Sequence, residues 1–336
     1  MTTPHTGRLP GFLVPPTQRR SLDEVTDRLD LAVGDSRSKR SAFWIMLTLS
    51  GTIAVAGVVG DSTATVIGAM IVAPLSTPIL GIGLGIVAAR GSLILRSIGY
   101  VVAGIVLVTV LGVILAQLLP NPETVLTNSQ VLGRTSPRLV DLLAALATGL
   151  AGAIAITRRD VGDVLPGVAI AISLVPPLGV VGVCLGSGAP SLAIGAFVLF
   201  ASNVVAMVIT SVVVLTVAGY GREAVEVSTS RRSRRRVYAV LTVALVVVAV
   251  PMVVNSLTSL WARQVATATQ SWLRDGGAGD TEITGVTWSG RTVTVNLLGS
   301  QQLPSVDQLR ATVDDLVPWN PEVVVVSVVG ERDSAG

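Results

Sequence analysis

The chain holds one cysteine and one histidine in 336 residues, and Lys39 is its single lysine. Cys184 has no second thiol to pair with, which excludes an internal disulfide, and its apolar surroundings make it a small buried hydrophobe. His5 sits in a polar tail, so a zinc site of the usual Cys/His kind and a histidine-based catalytic dyad are both excluded within one chain. Aromatic residues make up 4%, and helix packing must therefore rest on aliphatic side chains and on 34 glycines. Charged residues are scarce too, at 13% against 50% hydrophobic, and the mean hydropathy is +0.71. That is the composition of a multi-span membrane protein. The net charge of +3 comes from arginine, with no basic face interleaved with aromatics outside the loops, so no nucleic-acid partner is expected.

What the chain does have is apolar runs. Spans are expected at about 43–60, 62–89, 97–119, 139–157, 161–186, 191–218 and 237–257. Residues 1–40 form a polar N-terminal segment, with no regular structure expected over 1–20. Ser21-Leu-Asp-Glu then starts a short amphipathic helix through Leu22, Val25 and Leu29. Seven spans put the termini on opposite faces. Arg90, Arg96, Arg158, Arg159 and Arg222 fall on the same side as Arg37, Lys39 and Arg40, which makes the N-terminus cytoplasmic and the C-terminus extracytoplasmic. Arg231, Arg232, Arg234, Arg235 and Arg236 lie on that side as well. They read either as a stop-transfer determinant or as a site for anionic lipid headgroups.

Two spans are interrupted. Residues 61–89 contain Pro74 and Pro78 near their middle, followed by Gly81, Gly83 and Gly85. Each proline removes a backbone donor, and the carbonyls it strands in hydrocarbon need protein or water as partners. A kink shielded by neighbouring helices is one reading and a discontinuous helix lining a cavity is the other. At an offset of 99 residues, Asp61 superposes on Asp160, Gly68 on Gly167, Ile71 on Ile170, Leu75 on Leu174, Pro78 on Pro177 and Gly83 on Gly182. With three spans per unit, the copies at 41–119 and 139–219 enter the membrane from opposite faces, as an inverted repeat, and a seventh helix follows at 237–258.

Thr77, or Ser76 in its place, is the expected cap of a half-helix whose first residue is Pro78. Pro176 and Pro177 start its counterpart, with Ser173 as the nearest polar group. The expected substrate pathway thus runs along Pro74, Ser76, Thr77, Pro78, Gly81, Ser173, Pro176, Pro177, Gly179 and Asn203. Asn203 reads equally as interhelical glue. Asp61 and Asp160 are helix caps or gates at span ends. No carboxylate lies at mid-depth, so coupling through a buried acid is not expected. The glycines after Pro78 lack the strand context and spacing of a dinucleotide loop, and no nucleophile–base pair is present. The chain therefore reads as neither an enzyme nor a cofactor or metal binder.

Residues 260–330 change character. A helix, two strands, a second helix and a third strand read as a small α+β (α-β-β-α-β) domain, with strands near 282–288, 292–298 and 322–329, a helix over 304–316 and a hairpin turn at Ser289-Gly290.

The run from Asp61 through Ile67-Gly-Ala-Met-Ile-Val-Ala-Pro to Gly83, preceded by the Leu-Asp-Glu segment and a basic Ser-Arg-Ser step, resembles the hydrophobic-domain family catalogued as domain of unknown function 389. The resemblance covers roughly 22–218. Ser76 and Thr77 stand where methionine and glycine are the commoner residues of that family. It implies a multi-pass protein of a prokaryotic plasma (inner) membrane and carries no substrate with it. Two functions remain in view. One is a transporter or channel for a small solute or ion along the broken helices. The other is a non-transporting assembly or signalling protein whose external domain mediates oligomerisation or partner binding. The many small residues favour a homo-oligomer within the lipid bilayer.

Overall fold

Hydroxyls, prolines and glycines set the helix boundaries. The computed structural model describes residues 14–161, 174–225, 231–289, 292–299 and 303–328. These fall into two compact units, Met1–Met252 and Val253–Gly336.

In the first unit, α1 (Leu22–Leu29) opens with the expected capping box: Glu24 N donates to Ser21 Oγ at 3.2 Å and Ser21 N to the Glu24 carboxylate at 3.0 Å. Asp35 caps α2 (Ser36–Val59) and Ser62 caps α3 (Thr63–Val72). After a short break come α4 (Ser76–Val87) and α5 (Gly91–Gln117). A 3-10 turn (Pro122–Thr127) and the Asn128-capped α6 (Ser129–Thr135) lead into α7 (Leu139–Thr157). Then follow α8 (Val175–Gly186), α9 (Pro190–Val217), α10 (Tyr220–Val225) and α11 (Arg231–Asp275), whose first part belongs to this unit and whose second part belongs to the next.

Helices α2, α5, α7, α9 and the Leu245–Asp275 part of α11 are long and apolar enough to cross a bilayer. α3 and α4, bent by 46° at their break, make a sixth candidate if the pair is one span. The chain is thus a mainly helical membrane protein. The expected span at 161–186 is described only in its second half, α8, because 162–173 lie outside the described residues. Twelve residues rise about 18 Å, too short to cross alone.

Glycine permits the tightest crossing. A Cβ built on Gly182 of α8 would stand 2.7 Å from the Gly112 Cα of α5, and one on Gly149 of α7 would stand 3.1 Å from the Met207 Cα of α9. Backbones approach this closely only where a side chain is missing. Lipid-facing positions are also evident: on α5, Val102, Val106, Val110 and Ile114 form an exposed stripe at i, i+4 spacing that Leu118 continues past the helix end. α11 seats Met252 against Leu142, Ala145 and Ala206, and its Val243, Val246, Val247, Val250 and Val254 are exposed.

In the second unit, β1 (Glu282–Ser289) pairs antiparallel with β2 (Thr292–Leu298), and β2 pairs parallel with β3 (Glu322–Val328) through α12 (Val306–Leu316). Val293, Val295 and Leu297 alternate into a core closed by Trp272, Leu273, Leu309 and Val313. A register shift lies between Ile283 and Gly285. Ser289 ends β1, and Gly290 of the expected turn lies outside the described residues.

Candidate functional site

The two proline segments both start helices, although not by the expected caps. Leu75 holds the cap position of α4 without a side-chain bond, so neither Thr77 nor Ser76 caps it. The helix begins at Ser76 because the Pro74 carbonyl accepts from Thr77 N at 3.2 Å and the Leu75 carbonyl from Ile79 N at 3.5 Å. Pro78 is therefore the third helical residue, still inside the turn whose amides have no intrahelical acceptor, so its missing N–H forfeits no helical bond. In α8 the cap position falls to Leu174, again with no side-chain bond, and Pro176 and Pro177 are the second and third helical residues. Ser173 lies outside the described residues.

The ends of these helices match as well. After α4, Arg90 N donates to the Gly85 carbonyl at 2.8 Å across Ala89 at φ 54°. After α8, Ala189 N donates to the Cys184 carbonyl at 2.8 Å across Gly188 at φ 73°. Both are left-handed terminations, and Ala89 and Gly188 are 99 residues apart.

The breaks lie in an apolar setting. Leu75, Ile79, Leu174, Val175 and Leu178 are at most 4% exposed and belong to one cluster. Pro78, Pro176, Pro177 and Gly179 are buried, whereas Pro74, Ser76 and Thr77 are partly exposed. Gly179 faces Val55 of α2, where a Cβ would meet Val55 Cγ2 at 3.2 Å. Gly81 faces the Ser97 hydroxyl and the Leu29 carbonyl, at 2.9 and 3.1 Å from such a Cβ. Asn203 is buried in α9. Cys184 is buried among Val180, Val183, Ala193 and Ala196, as its surroundings in the sequence imply.

Asp61 does not cap α3, since Ser62 does; it ends α2 at φ 47° and receives bonds from Ser129 Oγ at 2.7 Å and Gln130 N at 3.2 Å. The Ser129 hydroxyl, with Gln130 behind it, holds the Asp61 carboxyl below its usual value of 3.8. A lowered folded value means that this contact stabilises above the unfolded pKa and is lost as pH falls below 3.8 through the folded value. Ser129→Ala is expected to return the Asp61 pKa toward 3.8 and move the acid-unfolding midpoint to higher pH, read by circular dichroism in detergent. Asp160 pairs instead with Arg158 at 2.5 Å, which lowers its pKa. Arg231, Arg232, Arg234, Arg235 and Arg236 stand at the start of α11, with side chains outside the described residues.

Sequence reasoning missed a strap. Residues 14–20 are ordered, with Val14 and Arg20 buried, which overturns the expectation of an unstructured 1–20 for that part. Arg19 Nε donates to the Ala218 carbonyl at the end of α9 at 2.8 Å and Arg20 Nε to the Arg158 carbonyl after α7 at 3.1 Å. Helix C-terminal carbonyls attract cations, and this is what orders the segment. Arg19 also pairs with Glu223 at 2.6 Å and lies 4.0 Å over the Tyr220 ring. Tyr220 Oη donates to the Arg20 carbonyl at 2.7 Å, and burial pushes the phenol up to about 12, so it stays a donor. Arg159 meets Glu24 at 2.8 Å, and Arg96 meets the buried Asp30 at 2.7 Å. Residues 14–30 thus join the first turns of α5, the end of α7 and α10. The opposite ends meet elsewhere: Asn128 Nδ2 donates to the Val58 carbonyl at 2.6 Å, and Gln117 Nε2 to the Gly186 carbonyl at 2.5 Å.

These helices define a membrane protein with a bundle of small-residue contacts around two proline-started half-helices. Residues 70–209, which hold both half-helices, match the family described as domain of unknown function (DUF389). The chain is 34% identical over 175 residues to the uncharacterized protein MJ0678 of Methanocaldococcus jannaschii, a match covering 52% of this chain and 53% of the relative. The chain thus spans about half the length of that curated relative. No solved structure matches it.

Proposed function

We propose that the protein is a non-enzymatic transporter or channel that moves a small solute or ion between α4 and α8. The observation that carries this reading is the recurrence at 99 residues of a whole arrangement. α4 (Ser76–Val87) and α8 (Val175–Gly186) have the same length, begin at equivalent residues and end in equivalent turns, and α5 and α9 follow at the same offset to within a residue. Each half-helix also packs on the long helix that follows the other, α8 on α5 and α4 on α9. Proline-broken helices paired in this way across an inverted repeat are the architecture in which solute sites form at mid-membrane. On this reading the strapped ends face the cytoplasm of a prokaryotic cell and the second unit lies outside. The uncapped half-helix N-termini favour an anion or the electronegative side of a solute.

A specific observation favours a second reading. The described side chains at both breaks share one apolar cluster, so passage requires that cluster to part. If it never parts, the breaks serve packing, and the protein is an assembly or signalling protein acting through its second unit, as a homo-oligomer or on anionic lipid. Flux of a panel of ions and small solutes into proteoliposomes separates the two. Transport predicts a wild-type flux that Pro78→Ala or Pro177→Ala reduces at least fivefold while deletion of 260–336 spares it. No flux from a folded, reconstituted protein removes the transport reading.

A further inference from the structure

The second unit has a groove that the transport reading does not use. It holds about 600 Å³ between one face of α11 and the start of β1. Arg263, Thr267, Gln270 and Arg274 line it at helical spacing, so four polar side chains share one face. The two arginines are eleven residues apart, about 16 Å along the axis. Neither forms an ion pair with a carboxylate among the described residues. Glu282, the single acidic residue among the described lining, has an interaction of its own and leaves the groove net positive.

An independent observation points to a ligand. Thr281 lines the same groove, is 8% exposed, and its Oγ1 is buried without a hydrogen-bond partner among the described residues. A folded chain rarely leaves a buried hydroxyl unsatisfied, because the bond it gave up to water is not replaced. Turned about its χ1 bond into the groove, the hydroxyl would regain a partner in a ligand oxygen. Guanidinium forks match the oxygens of phosphates and carboxylates, and the volume is that of a small-molecule site.

We propose that this groove binds a small anion bearing phosphate or carboxylate groups, held by Arg263 and Arg274 and accepting a hydrogen bond from Thr281. The same chemistry is offered by a soluble anion and by an anionic lipid headgroup, and the experiment separates them. The full chain is placed in phosphatidylcholine nanodiscs and titrated calorimetrically with inorganic pyrophosphate and with citrate. In a second arm, phosphatidylglycerol is introduced without soluble anion, and its co-purification is measured by mass spectrometry. Arg263 and Arg274 are exposed, so Arg263→Gln/Arg274→Gln retains the fold, and Thr281→Val preserves side-chain shape. Binding in either arm is expected to weaken at least tenfold in the double variant and several-fold in Thr281→Val, and the arm that responds names the source. No saturable binding in either arm, or binding that the double variant leaves unchanged, overturns the proposal.

Discussion

Gly182→Leu is expected to yield no stably folded first unit. A Cβ at Gly182 would stand 2.7 Å from the Gly112 Cα and press on the Thr109 carbonyl, and neighbouring contacts leave no slack. A Cβ on Gly112 would meet the Gly179 carbonyl at 2.8 Å, and one on Gly186 would meet Ala116 Cβ at 2.7 Å. Overpacking costs about 1–3 kcal/mol where side chains can yield. Here the obstacle is backbone on a long helix, so the expected loss exceeds about 3 kcal/mol, a large part of the total stability of an ordinary domain. Gly68→Ala is the matched control, since a Cβ there meets nothing within 4 Å. It is expected to keep the wild-type stability or raise it by at most about 1 kcal/mol, because alanine is the better residue inside a helix. Size-exclusion profiles and heat unfolding in detergent read both variants, and a monodisperse Gly182→Leu protein with wild-type melting would refute the α5–α8 crossing.

The second large effect belongs to the strap. Leu29 is 2% exposed within the same cluster as Leu75 and Ile79, so α1 completes the core of the first unit. Leu29→Ala is expected to cost about 3 kcal/mol, the ordinary loss for a leucine truncated in a packed core. Its melting temperature should fall by several degrees, and protease cleavage within 14–35 should quicken in parallel. An unchanged melting temperature would mean that α1 rests on the bundle without stabilising it.

How much of this was legible depended on how far each residue's partner lay along the chain. α7 falls at 139–157 and β2 at 292–298, as periodicity and flanking turn residues imply, because both depend on neighbours. The capping box at Ser21 is local in the same way. The proline breaks were visible because proline imposes its geometry wherever it stands. Their caps were misplaced because carbonyls of Pro74 and Leu75 began α4 ahead of the hydroxyls. Asp61 looked like a cap but bonds Ser129, 68 residues on, and no local pattern encodes that. The same holds for the groove of the second unit. Arg263 and Arg274 come to line it because β1 folds back beside them and carries Thr281 with it.

The strap also constrains the order in which the chain can be finished. Arg19 bonds residues 199 and 204 positions later, Tyr220 returns a bond to Arg20 across 200, and Arg20 reaches Arg158 across 138. During synthesis these first residues emerge long before any of those partners exists. A segment made before all its partners is therefore among the last to be fastened. Until α10 has been translated, the apolar face of α1 lacks part of its final seat, and a ribosome stalled before Tyr220 would hold a bundle whose strapped end is still open to proteases and chaperones.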